Sequence, residues 1–105
     1  MLLCNTALAD LAPKYTQALD AFLVRLETYQ NNSNYVQILD AFVVQLNTLK
    51  PKYSSNTNVP LMIDYLLLGI SDLKSRRLAS DIEDDFINEL NKSLTNYTNS
   101  STSSS

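Results

Sequence analysis

The sequence predicts an all-α fold, and three observations carry that prediction. A 16-residue stretch recurs, its apolar residues fall at alternating steps of three and four, and there is one Gly among 105 residues. The spacing is that of one helical face, whereas a strand needs period two. A single Gly cannot supply the tight turns of a set of β-hairpins. The expected architecture is a four-helix antiparallel bundle or a short repeat of two helical hairpins.

The repeat is the most informative feature. Residues 15–30 read YTQALDAFLVRLETYQ and residues 35–50 read YVQILDAFVVQLNTLK, with nine of sixteen positions identical at an offset of 20. A degenerate third copy, MIDYLLLGISDLK at 62–74, aligns with 38–50 at an offset of 24, and a faint fourth, DDFINELN, lies at 84–91. Asp20, Asp40, Asp64 and Asp84 mark the four copies. Such repeats are supersecondary units that bury their apolar faces against one another.

Each element follows from local chemistry. Residues 1–9 end in Ala7-Leu8-Ala9 before Asp10, the small-x-small pattern of a signal-peptidase site, and read as a signal-peptide remnant. The competing reading is a first helical turn that packs Leu3 and Leu8. Cleavage after Ala9 would remove Cys4, and with one Cys at most there is no disulfide framework.

Asp10 with Pro13 opens helix 1, whose core stripe is Ala12, Tyr15, Leu19, Phe22, Leu26 and Tyr29. The Asn31–Asn34 stretch breaks it, and Asn34 with Gln37 resembles a capping box. Helix 2 places Tyr35, Leu39, Phe42, Leu46, Leu49 and Tyr53 on one face, and Pro51 with Ser54–Asn58 ends it. Helix 3 uses Val59, Ile63, Leu66, Ile70 and Leu73, with Gly69 in mid-helix. Ser80 with Glu83 is the clearest capping box and starts helix 4, carried by Ile82, Phe86, Leu90 and Leu94. The helical domain spans 10–94. The Ser/Thr-rich tail 95–105 holds one aromatic and no aliphatic residue, so it is expected to be disordered.

Composition narrows the function. Eight basic and eleven acidic residues give a net charge of −3, which disfavours binding to phosphate backbones. There is no His, hence no His-based triad and no His/Cys zinc site. The run Asp81, Glu83, Asp84 and Asp85 reads as first-turn acids that complement a helix dipole rather than a cation loop, and Lys74, Arg76 and Arg77 as last-turn cations of helix 3. The four marker aspartates point to different outer flanks, with no nucleophile or oxyanion loop beside them. No catalytic, cofactor-binding or metal-binding residue, no cofactor and no small-molecule substrate is predicted. The longest apolar run, Leu61 to Ile70, is too short to span a membrane and contains Asp64.

Surface polarity comes from 11 Asn, 12 Ser and 8 Thr more than from charge, which leans towards an extracytoplasmic or cell-surface setting. The six tyrosines fall mostly at helix ends, as half-buried rings or as an aromatic ligand-binding end. Opposite the core stripe, helix 1 carries Gln17, Ala21, Val24 and Thr28, and helix 2 carries Gln37, Ala41, Val44 and Thr48. Helix 3 has Leu61, Tyr65, Leu68 and Asp72 there. A second apolar face on a peripheral helix marks either further packing within the domain or a protein surface. The candidate interface is therefore Ala21, Val24, Ala41, Val44, Tyr65 and Leu68, facing another copy or an adjacent domain.

The stretch Leu49–Val59, followed by Ile63-Asp-Tyr-Leu66, resembles a helix–loop–helix segment of uncharacterised secreted or surface proteins of bacteria. That resemblance implies an extracytoplasmic helical module and no activity. The functional expectation is a non-catalytic structural or protein-interaction module, exported or surface-associated. Its rival is a small intracellular adaptor that grips a partner helix through the Ala/Val face of helices 1 and 2.

Overall fold

A computed structural model describes residues 10–104, with the side-chain surroundings of residues 10–99. The signal-peptide reading of residues 1–9, and Cys4 with it, lies outside the described residues. The described chain is all-helical: α1 (Pro13–Glu27), α2 (Tyr35–Lys52) and α3 (Val59–Ser104). Two compact units divide it at Ser75, so residues 59–75 of α3 belong to the first unit and residues from Arg76 to the second.

The first unit is an up-down-up three-helix bundle, and its side-chain contacts define the directions. Phe22 of α1 meets Phe42 of α2 edge-on, with ring centroids 5.4 Å apart. On α2 and α3, Lys50 pairs with Asp64 at 2.7 Å and Asp40 with Lys74 at 2.8 Å. Sequence separations of 14 and 34 about one loop require antiparallel helices. Between α1 and α3, Asp20 meets Tyr65, and Leu23 meets Gly69, so those two run parallel. Leu26, Tyr35, Leu39, Leu46, Ile63, Ile70 and Leu73 form the core, with Leu39 and Ile70 at 0% exposure. All seven are stripe residues that the periodicity places inside.

Local chemistry sets the helix ends, though not always as the motifs suggest. Pro13 occupies the first turn of α1, where its missing N–H costs nothing, and the N-cap is Ala12, without a side-chain bond. Asn34 is the N-cap of α2, but its side chain makes no capping bond, so the Asn34–Gln37 box is not formed. The α1–α2 connection is instead a chain of backbone turns, including Tyr29 N–H to Leu26 O at 3.0 Å and Asn32 N–H to Tyr29 O at 2.9 Å. Pro51 lies inside the last turn of α2 rather than beyond it. The start of α3 is held by Asn56, whose Oδ1 accepts the N–H groups of Asn58 and Val59, both at 2.9 Å.

The four-helix expectation is not met, because the third and fourth helical copies are one helix. Ser75 to Ser80 contains neither Gly nor Pro, and Arg77 pairs with Asp81 one turn on at 3.2 Å. Ser80 and Glu83 sit in the helix interior, where the amides that a capping box would satisfy already have carbonyl partners. The acids at 81–85 are therefore mid-helix, and Lys74 and Arg77 are paired side chains of a continuing helix. Thr95 to Ser104 are helical too, where the composition led to the expectation of a disordered tail. The hydroxyls of Thr95 and Thr98 donate back to the carbonyls of Asn91 and Leu94, each at 3.0 Å, so side-chain polarity is accommodated within the helix.

Candidate interaction surfaces

Three of the four marker aspartates of the repeat are inter-helix ties. Asp20 accepts the Tyr65 hydroxyl at 2.6 Å, Asp40 accepts Lys74, and Asp64 accepts Lys50. Each sits one residue beyond a buried Leu or Ile, at the edge of the packed face, where a carboxylate reaches the neighbouring helix while remaining partly in water. The bond to Asp20 raises the Tyr65 pKa above its ordinary value of 10.0, helped by burial and by the carboxylate's charge. The three contacts lie on different helix pairs and assemble no common site.

The predicted interface residues are mostly exposed, but the two valines are not brought together. Val24, Val44 and Leu68 are 60%, 67% and 55% exposed, and Ala21 and Ala41 are also at the surface. Tyr65 is half-buried and engaged with Asp20. Phe22 and Phe42 face each other, and Val24 and Val44 follow them by two residues, about 200° further round each helix. The two valines therefore point away from the α1–α2 contact on separate outer flanks. They do not make one groove for a partner helix.

A larger apolar surface lies in the second unit. Leu78, Ile82, Phe86, Ile87, Leu90, Leu94 and Tyr97 are all between 47% and 75% exposed. At about 100° per residue, the six from Ile82 onward fall within an arc of about 140°. Asp84, Asp85, Asn88, Asn91, Lys92, Thr95 and Asn96 occupy the opposite side, and Glu83 is the charged residue on the apolar arc. The periodicity identifies this stripe, but four of its residues were expected in a core and Tyr97 in a disordered tail. The missing signal was the lack of any helix stop before Ser80.

The tyrosines divide by position. Tyr35 is fully buried, Tyr15 is half-buried, and Tyr29 and Tyr53 are exposed. Tyr29 borders a cleft of about 310 Å³ between α1 and α2, lined also by Phe22, Arg25, Leu26, Ile38 and Phe42. Its size is at the lower end for small-molecule pockets, and its walls are apolar apart from the Arg25 guanidinium and the Tyr29 hydroxyl.

Among the described residues no group of three or more acidic or Cys side chains is placed to hold a metal ion. No described helix is long and apolar enough to cross a membrane. No family model matches the chain, and no curated protein or solved structure matches it.

Proposed function

We propose that this protein is a non-catalytic helical interaction module in which the three-helix unit is the scaffold and the apolar face of residues 78–97 is the contact surface. The carrying observation is the exposure of seven large apolar side chains in a five-turn segment, six of them within one arc of about 140°. A typical surface helix of a globular protein packs such a stripe on a core. A helix with no burial rests on propensity alone, which is marginal in water for a segment rich in Asn, Ser and Thr. A partner that covers the stripe supplies what propensity does not. The Asn/Ser/Thr-rich surface supports an exported or surface-associated setting for the module.

Photo-crosslinking in the producing cells tests both parts. A benzoylphenylalanine at position 86 or 90 is expected to give discrete adducts in the extracytoplasmic fraction, and one at 88 or 95 none. Equal labelling from both sides of the helix, or no adduct from either, would remove the interaction reading. Adducts confined to the cytosolic fraction would remove the exported setting alone.

A further inference from the structure

We infer that the apolar face of residues 78–97 pairs with the same face of a second copy of this chain, in antiparallel orientation; this rests on the interaction-module reading and names its partner. Three observations select the second copy. The first is area. Each of the six exposed side chains on the arc from Ile82 to Tyr97 leaves on the order of 100 Å² in water, so a symmetric pair removes up to about 1,200 Å² in total, at the lower bound of the roughly 1,200–2,000 Å² of a standard specific interface. A self-complementary stripe meets that requirement through a two-fold axis with no other component.

The second observation is the continuity of α3. The helix runs unbroken between Lys74 and Ser80. That stretch holds neither Gly nor Pro, and Arg77–Asp81 ties its end to the following turn. The third is charge. Helices that lie on membranes carry Lys and Arg on the polar face, whereas the polar side here presents Asp81, Asp84 and Asp85 against Lys92. An anionic lipid surface is thereby disfavoured.

Glu83 decides the orientation. It lies on the apolar arc, so a parallel pair would set the two Glu83 carboxylates side by side. An antiparallel pair centred between Ile87 and Asn88 separates them by about nine residues along the axis, on the order of 14 Å. That exceeds the Debye length of about 8 Å at physiological ionic strength.

The test is the mass of the full 105-residue chain by light scattering and sedimentation equilibrium, from about 1 to 200 µM. A reversible species of twice 11.8 kDa is expected. Phe86→Glu with Leu90→Glu should raise its dissociation constant at least about a hundredfold, and Ile82→Glu with Leu94→Glu provides an independent pair of lesions. Glu83→Leu should tighten it about tenfold by extending the apolar arc. Val24→Lys with Val44→Lys should leave it unchanged. In a Cys4→Ser background, Leu78→Cys should cross-link to Tyr97→Cys when the two variants are mixed, and not to itself.

A monomer throughout that range, a dimer that survives both glutamate pairs, or one broken by the valine substitutions overturns the proposal. So does a Leu78→Cys homodimer, or binding of a monomer to phosphatidylglycerol vesicles. If the chain is monomeric yet photo-crosslinks from position 86 to a different protein, self-pairing fails while the interaction-module reading stands. If it does neither, both fail.

Discussion

At the scale of single residues, polar side chains at the edge of the core join the helices and are open to titration. The Tyr65 hydroxyl donates to Asp20, and its pKa is raised above 10.0, first by that bond, then by burial, then by the carboxylate's charge. The folded state holds this proton more tightly than the unfolded state. The contribution is therefore complete below pH 10 and is lost as pH rises through the higher folded pKa. Tyr65→Phe should cost less than about 1 kcal/mol at pH 8, because water screens the pair. Urea unfolding at pH 8 and pH 11 should show wild type and variant converging at the higher pH, and a gap that widens instead would contradict this origin. Gly69 poses the opposite problem. A Cβ built there would come within 2.9 Å of Leu23 Cδ2 and 3.2 Å of Leu23 Cγ, so the only Gly of the chain admits the α1 side chain against the α3 backbone. Gly69→Ala gains about 1 kcal/mol of helix propensity, and overpacking offsets that gain by roughly 1–3 kcal/mol. Combined with Leu23→Ala, the clash disappears and the propensity gain remains. A double-mutant cycle should give a favourable coupling of about 1 kcal/mol, and additive effects would show that the two side chains do not compete for the space.

At the scale of the helices, capping chemistry distinguishes real ends from apparent ones. Asn56 accepts two amides at the start of α3, so Asn56→Ala should cost about 1 kcal/mol. Ser80 is in the helix interior, so Ser80→Ala should instead stabilise the helix by a few tenths of a kcal/mol. Thermal melts followed by circular dichroism can compare the two. A loss at Ser80 matching that at Asn56 would mean that a helix begins there after all. This contrast also explains how much of the molecule was legible in the sequence. Stripe residues such as Leu39, Leu46, Ile63 and Ile70 are buried as their spacing predicts, because periodicity reports a face directly. The Ser80–Glu83 box misled because its residues are equally at home inside a helix. Only a chain break makes them a cap, and Ser75 to Ser80 has no residue that forces one. The separation of Val24 and Val44 was invisible for a different reason. It depends on which sides of α1 and α2 meet, and the Phe22–Phe42 contact, between side chains 20 residues apart, decides that. The apolar character of Ile82, Phe86, Leu90 and Leu94 was plain, whereas periodicity does not say whether a stripe is covered, and these four side chains are exposed.

At the scale of the whole molecule, burial and interaction are assigned to different stretches of chain. Among the described residues, the nine buried hydrophobic ones lie between Leu11 and Leu73, and every one from Leu78 to Asn99 is exposed. The first unit should therefore hold its stability without the residues beyond Arg77. A chain ended at Arg77 should unfold cooperatively in urea with a midpoint that does not change with protein concentration. Within it, Leu39→Ala should cost about 2–5 kcal/mol, since a fully enclosed Leu leaves a cavity when truncated. The full chain should behave differently in its second part. If residues 78–97 pair between copies, helicity beyond Arg77 is linked to association and must rise with concentration by mass action. Hydrogen exchange by mass spectrometry separates the two regions. Peptides covering α1 and α2 should show protection independent of concentration, and those covering 80–97 should slow exchange by about tenfold for each 1.4 kcal/mol of pairing free energy. Concentration-dependent protection in α1 and α2 would place the partner on the bundle instead. Full protection of 80–97 at the lowest concentration would mean that this helix needs no second copy.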